Sequence, residues 1–467
     1  MSTVHISPYA GDWYPASAGD LERLLEEHFS ESASRTGSCA PPDAIGFVAP
    51  HAGPAWSGTV AAAVYRAIQR QKPERVILLA FPHRGMLRRV ATPDVDTIRT
   101  PLGDAAIGRE FANAFAVVPE RQVCDHSFEI QLPFLQKAVP GARLTPLYIG
   151  WITAEQRRAA AEVLAAAWRP GTVFVASSDF THYGRHFGFQ PFPHDSRTEE
   201  RLRALDLDCA DAASSVDGEW FLETLSQSGA TVCGAGPISL LLETLRRLPG
   251  ASVYQTTLDY QTSGGITGDF AHSVSYMALA YHDRRAFLLD AADCLALLDS
   301  AQETLRRLRE TGKRQPAPAQ GSAALAARRG LFVSLHHDGE LLGCVGNLAG
   351  RRPLAEDVAD LTLAAALEDP RFRPAAETSG AIDVEISVLT PFRRIRDAAE
   401  FHIGQHGAFL ALGKQSGLLL PQVANRHDWR ADDFLKALAR KSCLGPGAWR
   451  DPQARLEVFE AQLIGKS

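Results

Sequence analysis

Between residues 44 and 285, short apolar runs alternate with longer amphipathic stretches. Apolar runs typical of buried strands occupy Ile45–Pro50, Arg75–Ala80, Arg143–Ile149, Thr172–Ala176, Val253–Tyr260 and Ser273–Tyr281. Apolar residues at helical spacing predict helices over Thr59–Gln71, Thr153–Trp168 and Ile238–Leu248. This alternation predicts an α/β fold with a mostly parallel sheet that is covered by helices on both faces.

Three of the strand-like runs end in a turn that holds a histidine. The turns contain His51 in APHAG, His83 in FPHRG and His182 in FTHYG, and Cys233 lies in TVCGAGP ahead of a helix. Ligands of open α/β sheets bind outside the carboxyl ends of the strands. Imidazoles and a thiolate suit iron, copper or zinc and disfavour magnesium or calcium. The pattern predicts a metal or catalytic site, although a lone histidine after a strand, such as His51, is more often a turn or core residue.

Two neighbours bear on the chemistry of these candidates. Asp179 precedes His182 by three residues, so it could orient that imidazole, or it could cap a turn. Cys233 stands close to a predicted helix N-terminus, where we expect a lowered thiol pKa and a more available thiolate. The alternative is a small buried cysteine without chemistry.

Two further positions are candidates by local context. His126 and Glu129 in DHSFE are three residues apart, so they can share a helix face and either could act as a general acid or base; the alternative is a solvated pair. Cys344 lies between Gly343 and Gly346, which allow close approach of a ligand or of another backbone. The alternative there is a tight bend with an inert thiol.

After residue 285 the pattern changes. A long amphipathic helix is predicted over Leu288–Arg309, followed by the linker-like stretch 311–322. Asp338-Gly339 between two apolar runs predicts a β-hairpin. Further elements are expected at Leu354–Leu367 (helix), Ile382–Leu389 (strand) and Asp432–Arg440 (helix). This order predicts an α+β domain.

Charge and cysteine usage narrow the class of protein. The net charge is -6, so no basic field favours nucleic acid. The 7 cysteines are odd in number and form no CxxC pair, which fits a reducing compartment. With no signal-like N-terminus and no apolar run of about 18 residues, we expect a cytoplasmic protein without membrane contact.

Several motifs occur in an order typical of a known family. AGDWYP, APHAGPAWSG, LLAFPHRG, DHSFEIQLPF, SSDFTHYGRHFGF, TVCGAGPI and TSGGITGD resemble the Memo family over roughly residues 5–284. That resemblance implies an α/β/α sandwich of the class III extradiol dioxygenase type. GLFVSLHHDGELLGCVGNL, AAALEDPRFRP, VEISVLTPF and LLLPQVA resemble the AMMECR-type domain. We therefore expect domains at 1–285 and 286–467, with 311–322 as a loop inside the second.

The resemblance also implies roles for individual residues. His51, His83 and Cys233 would hold iron or copper, with zinc possible, and His182 would be a further ligand or the acid/base. Cys344 would belong to a binding site of the second domain. The two components resemble parts of the AmmeMemoRadiSam system, which implies a separate radical SAM enzyme as partner. The substrate, a small molecule or a peptide, is not specified.

The chain departs from the family pattern at four places. AFP precedes His83 where a GPS-like turn is usual, and Gln131 stands where histidine is frequent. In the second domain, Leu342 replaces a usual arginine and Asn347 a small hydroxyl residue. Three functions remain open: a metal-dependent oxidoreductase, a metal or peptide carrier without catalysis, and a hydrolase or lyase that uses Cys233 as nucleophile and His182 as base.

Overall fold

The computed structural model describes residues 3–36, 41, 43–375 and 378–465. It divides into two compact units, Met1–Ala286 and Phe287–Ser467. No helix in the described part of the chain is long and apolar enough to cross a membrane.

The first unit contains twelve described strands and nine described α-helices. The strands are β1 (Val4–Ile6), β2 (Ala44–Ala49), β3 (Arg75–Ala80), β4 (Val90–Pro93), β5 (Thr97–Thr100), β6 (Gly103–Ala106), β7 (Ala116–Val118), β8 (Arg143–Ile149), β9 (Thr172–Ser177), β10 (His182–Tyr183), β11 (Val253–Thr262) and β12 (Ser273–Asp283). The helices are α1 (Ala18–Thr36), α2 (Pro54–Gln71), α3 (His126–Glu129), α4 (Gln131–Ala138), α5 (Ala154–Ala167), α6 (Thr198–Ser214), α7 (Gly218–Ser228), α8 (Ala235–Arg246) and α9 (Ser263–Thr267).

The main sheet of this unit is mixed. Its strand order is β10-β12-β2-β9-β3-β8-β4-β7, and β11 pairs with β12. The central strands β2, β9, β3 and β8 are mutually parallel, as the apolar runs predicted. The late strands β11 and β12 are antiparallel additions at one side. A second sheet of order β1-β5-β6 joins the N-terminal strand to a hairpin.

Two cores lie on opposite faces of the main sheet. In β2, Phe47 and Ala49 belong to the core under α1, α2 and α4, whereas Val48 belongs to the core under α5 to α8. Successive side chains of a strand point to opposite faces, so fully buried strands require a helical layer on each side. The result is the expected α/β/α sandwich. The second helix begins at Pro54, earlier than Thr59, because proline is favourable in a first helical turn.

The second unit is α+β, as predicted, with two antiparallel sheets. Its strands are β13 (Leu331–His337), β14 (Glu340–Asn347), β15 (Asp383–Leu389), β16 (Arg393–Arg394), β17 (Gly407–Leu412), β18 (Gln415–Leu419), β19 (Arg455–Phe459) and β20 (Ala461–Gly465). Its helices are α10 (Ala291–Thr311), α11 (Leu354–Leu367), α12 (Gln422–His427) and α13 (Ala431–Lys441). The sheet orders are β14-β13-β15-β20 and β16-β19-β17-β18.

The predicted hairpin of the second unit is confirmed. β13 and β14 pair antiparallel around Asp338 and Gly339, whose φ angles are 50° and 82°. Two successive positive φ angles are typical of the type I′ turn, which matches the right-handed twist of the flanking strands. The sheet of β16 to β19 was not predicted, since its strands are short and lack a clear alternation.

Candidate metal centre

Adjacent strands bring the predicted residues to one edge of the main sheet. β2, β9 and β3 are neighbours and run parallel, so their carboxyl ends coincide. His51 follows β2 by two residues, and His83 follows β3 by three. Cys233 lies in the loop just before α8. Helix α8 packs on the same strands, on the face of the sheet that is opposite to α2.

His51, His83 and Cys233 converge. Each offers one donor atom, and the three donors lie within 4.8 Å of one another. Nε2 of His51 is 3.1 Å from Sγ of Cys233. Two donors that share one tetrahedral ion at about 2.0–2.3 Å are separated by roughly 3–4 Å, so this spacing fits a first-row metal ion with small adjustments. His182 is not a member of this group of three.

Hydrogen bonds fix which nitrogen of His51 carries a proton. The Ser177 hydroxyl donates to the Ser127 carbonyl at 2.5 Å, so its oxygen can only accept from its other neighbours. Nδ1 of His51 lies 2.9 Å from that oxygen and therefore donates to it. The amide of Gln131 also donates to Ser177, at 2.9 Å. The lone pair of His51 consequently lies on Nε2, which faces Cys233.

Asp125 orients His83 in the same sense. Its Oδ2 accepts from the backbone N–H of His83 at 2.6 Å and lies 3.1 Å from Nδ1 of the ring. Although burial opposes ionisation, hydrogen bonds from His83 and Ser127 hold the pKa of Asp125 below its usual value. An ionised carboxylate on Nδ1–H leaves Nε2 as the donor atom, an arrangement common among metal-binding histidines.

Cys233 differs from the expected low-pKa thiol. Burial, with the nearby Asp179 carboxylate, raises the pKa of Cys233 far above its usual value. The expectation from the helix N-terminus was wrong because desolvation of the thiolate outweighs the helix dipole here. A metal ion would supply the positive charge that stabilises the thiolate, and its binding would release the proton.

Gly234 allows this thiol to reach the strand end. A Cβ at Gly234 would lie 2.3 Å from Cβ of Ser178 and 2.5 Å from the carbonyl oxygen of Ser177. Its backbone N–H donates to the Ser178 hydroxyl at 2.9 Å. Any larger residue would push Cys233 away from His51.

His182 is held by carbonyl groups rather than by Asp179. Its Nδ1 lies 2.9 Å from the Phe180 oxygen and 3.1 Å from the Thr231 oxygen, so it carries the proton. Asp179 instead accepts from the backbone N–H of His51 at 2.8 Å, and burial raises its pKa. The predicted orienting role of Asp179 toward His182 is therefore corrected: Asp179 shapes the His51 turn.

The side chains of His126 and Glu129 lie in different surroundings. The ring of His126 lies 4.2 Å from that of His83 and 5.2 Å from that of His51, centroid to centroid. Burial, together with the positive field of His83, lowers the pKa of His126 to about 4. Glu129 is fully buried, is bonded to His5 at 3.0 Å and is not among the described lining residues of the cavity. The predicted pairing of the two as acid and base does not fit this placement.

A cavity of about 820 Å³ adjoins the cluster. His51, His83, His126, His182 and Cys233 line one part of it. The rest is lined in part by the aromatic side chains of Trp13, Trp56 and Phe187 and by the polar side chains of Asp269 and His272. A mostly apolar concavity with a few convergent polar groups is the usual form of a small-molecule site.

Sequence reasoning missed the residues that support the ligands. Ser177 and Gln131 are both fully buried, and Gln131 also donates to the Pro50 carbonyl at 2.9 Å and accepts from the Tyr65 hydroxyl at 2.5 Å. The only local signal was polar residues at the ends of apolar runs. Gln131, in the place of a frequent histidine, acts on the His51 turn and on Ser177.

In the second unit, Cys344 lies in β14. Its backbone N–H donates to Asp369 at 2.8 Å, and its carbonyl accepts from Arg371 at 3.1 Å. A Cβ at Gly343 would lie 2.1 Å from the carbonyl oxygen of Ala365 in α11, so this glycine permits helix packing. The binding role expected for Cys344 stays a prediction.

Leu342 and Asn347, the two positions of the second unit that depart from the expected motif, both have structural contacts. Leu342 packs against the apolar core of that unit, and the Asn347 amide donates to Asp357 at 3.0 Å. Leu342, at the position where the resemblance implies an arginine, thus adds to the core.

Comparison with known proteins agrees with this architecture. A family model described as Memo-like protein matches residues 7–280, and one described as AMMECR1 matches residues 298–464. A MEMO1 family protein of Methanopyrus kandleri is 33% identical over 293 residues, which covers 58% of this chain and 96% of the relative. One of Desulfurococcus amylolyticus is 30% identical over 290 residues, covering 58% and 97%. The chain belongs to the Memo family and carries an AMMECR1 domain after its Memo domain.

Proposed function

We propose that the Memo half binds one iron or copper ion through His51, His83 and Cys233 and uses it for redox chemistry on a small molecule or peptide. The observation that carries the proposal is the convergence of three donors within 4.8 Å at the edge of a cavity. Two imidazole nitrogens and a thiolate favour such metals over magnesium or calcium. A bound iron or copper ion would supply one-electron transfer and polarise a coordinated substrate.

The chain's own residues prepare the site for a cation. Burial and the three neighbouring imidazoles lower the pKa of His51 well below its usual value, so the ring is neutral at neutral pH. Neutral imidazole is the form that binds metal, because protonation consumes the lone pair. Asp125 and Ser177 hold the Nδ1 protons, so neither ligand must turn or change its tautomer on binding.

His182 is the acid/base group of this proposal. Because its Nδ1–H donates to two carbonyl oxygens, the neutral ring has its lone pair on Nε2, and the residue lines the cavity. It can take a proton from a bound substrate and return it later. Trp13, Trp56 and Phe187 reduce the water around the substrate and offer flat apolar surfaces for its carbon skeleton.

The decisive experiment is metal analysis with X-ray absorption on the full chain. Loaded with iron or copper, the wild type should hold one ion with one sulfur and at least two nitrogen neighbours. His83→Ala should lose the ion, and His272→Ala, which removes another cavity imidazole, should retain it. Equal metal content in both variants would overturn the ligand set.

Redox activity is tested separately. Iron-loaded protein should consume dioxygen in the presence of ascorbate faster than Cys233→Ser protein given the same total iron. If the ion is bound as proposed but uptake is no faster, the Memo half is a carrier of the metal rather than an oxidoreductase.

A second candidate rests on the 3.1 Å contact between the Cys233 thiol and His51 Nε2. Such a pair resembles that of cysteine hydrolases. Here burial raises the thiol pKa and lowers the imidazole pKa, so both groups are neutral and the thiolate is scarce. This favours the metal function, and hydrolytic activity that persists in chelator would reverse the preference.

For the partner, we propose a radical SAM enzyme, on the ground that Memo and AMMECR1 domains occur here in one chain. Fusion holds two components at high effective concentration, as expected for successive steps on one substrate. Co-purification of the full chain with the radical SAM enzymes of the same cell, under anaerobic conditions, tests this. Failure of every such enzyme to associate would leave the metal site without this partner.

A further inference from the structure

A second cluster of possible metal donors lies outside the cavity lining. His5, Cys124 and Glu129 each offer one donor atom, and these atoms lie within 4.8 Å of one another. None of the three is among the described residues that line the cavity. They come from distant parts of the first unit, since His5 is in β1, and Glu129 ends α3.

The carboxylate of Glu129 is incompletely satisfied. Its Oε1 lies 3.0 Å from Nε2 of His5, whereas Oε2 is buried and has no hydrogen-bond partner among the described residues. The Glu129 side chain has 0% exposure. A buried carboxylate is costly unless its charge and its lone pairs are matched. The partly exposed His5 pairs with only one of the two carboxylate oxygens.

We propose that His5, Cys124 and Glu129 form a second metal site, distinct from the cavity cluster, and that its ion is zinc. Zinc accepts imidazole nitrogen, thiolate sulfur and carboxylate oxygen in one tetrahedral site, with water as a fourth ligand. Magnesium and calcium disfavour the thiolate. The proposal does not depend on the function proposed above.

The surroundings offer a route for the ion. The His5 side chain is 17% exposed, and its strand β1 is at the edge of the small sheet, where it pairs only with β5 among the described strands. Cys124 carries its proton in the metal-free chain because burial raises its pKa. Zinc binding therefore displaces about one proton from this thiol.

The position implies a structural role. A bound ion would join β1 to the segment 124–129, which also contains Asp125, the hydrogen-bond partner of His83, and His126, which lines the cavity. Ordering of this segment would support the hydrogen bond from His83 to Asp125 without any contact between zinc and substrate. Binding to the native state alone raises the melting temperature by mass action.

The test uses the untagged full chain, stripped of metal, in a Cys233→Ser background that disables the cavity cluster. With zinc as the probe, this chain should bind one ion per molecule, melt at a higher temperature with zinc than without, and release about one proton per ion. Cys124→Ser added to this background should abolish binding. Cys443→Ser, which removes an exposed thiol, should leave it unchanged.

Cobalt(II) gives a spectroscopic check on the ligand. Thiolate coordination produces an intense near-ultraviolet charge-transfer band, which should be present in Cys233→Ser and absent after the added Cys124→Ser change. Should Cys124→Ser fail to fold, His5→Gln on the sheet edge should weaken zinc binding about tenfold or more. Zinc binding that survives both changes, or no binding in the Cys233→Ser chain, would overturn the second site and leave the cavity site unaffected.

Discussion

His51 and His406 are almost equally buried, with 2% and 3% exposure, yet the lone pairs of their ring nitrogens have different partners. His51, in the first unit, donates from Nδ1 to Ser177 and keeps Nε2 for Cys233 and the cavity. His406, in the second unit, accepts at Nδ1 from the backbone N–H of His402 at 3.0 Å. Burial lowers the pKa of both. The partner of each nitrogen, rather than burial, therefore decides whether a histidine can be a metal ligand.

The largest expected effect is on metal content. His51→Ala and Cys233→Ser each remove a donor, so bound iron or copper should fall to below about a tenth of the wild-type value. His406→Asn should bind as much metal as the wild type does, because the Nδ1 lone pair of His406 already accepts a backbone hydrogen bond. Metal per chain, measured after desalting, checks this. Equal losses in all three variants would show that metal content follows folding rather than the loss of a ligand.

The next effect concerns acid stability of the second unit. Burial, with the charge of Arg393, lowers the pKa of His406 from its usual value near 6.5 to about 4. Because the folded-state pKa lies below the unfolded one, the unfolded chain binds the proton more tightly. Stability is fully present above about pH 6.5 and is lost as pH falls toward 4, by roughly 3 kcal/mol in all.

His406→Asn isolates that contribution. The amide oxygen of asparagine can accept from the His402 N–H in place of Nδ1, and it does not titrate. Urea unfolding between pH 4 and 6.5 should therefore be less pH-dependent for His406→Asn than for the wild type. His402→Asn, at an exposed position, removes only one of the smaller causes of the lowered His406 pKa, so it should keep most of the pH dependence of the wild type. Parallel curves for all three would refute the assignment.

A smaller effect is expected from the residue that fixes the tautomer. Ser177→Ala removes the acceptor of the His51 Nδ1 proton, so the ring can turn or change tautomer before binding. Loss of such a supporting partner weakens metal affinity by about 10- to 100-fold. Ser442→Ala, a buried serine of the second unit that bonds to the Leu438 carbonyl, should leave affinity unchanged. Competition with a metal indicator measures both.

The amino-acid sequence anticipates the parts of this site that depend on local pattern. Apolar runs predict β2, β3, β8 and β9, and parallel strands place His51 and His83 at one edge. It does not anticipate contacts that join distant segments. The bond from His5 to Glu129 spans 124 residues, and that from Gln131 to Ser177 spans 46. Hydrogen bonds of this kind depend on the packed fold, so no local periodicity encodes them.

The prediction of a lowered pKa for the Cys233 thiol was wrong for a related reason. A position near a helix N-terminus is visible in the sequence, but the desolvation of the thiol beside Asp179 is a property of the assembled layers. Desolvation then outweighs the helix dipole. In the same assembled layers, Asp179 accepts a hydrogen bond from the backbone of the His51 turn, and His182 bonds to a carbonyl group instead.

The smallest expected effect lies at the outer end of the chain of hydrogen bonds behind His51. The Tyr65 hydroxyl donates to Gln131, and the Gln131 amide donates to Ser177, which accepts from His51. Tyr65→Phe leaves the Gln131 oxygen buried without this donor, which should cost about 1–2 kcal/mol of unfolding free energy. Metal affinity should change less than about threefold, because Gln131 keeps its other bonds.

Tyr281→Phe is the matched control for that change. Tyr281 is equally buried in the first unit, but its hydroxyl has no hydrogen-bond partner among the described residues. Removal of an unsatisfied buried hydroxyl should leave stability unchanged or raise it slightly, since no bond is lost. If Tyr65→Phe is as harmless as Tyr281→Phe in urea unfolding, the short Tyr65–Gln131 bond does not support the Gln131–Ser177–His51 chain, and the tautomer of His51 depends on Ser177 alone.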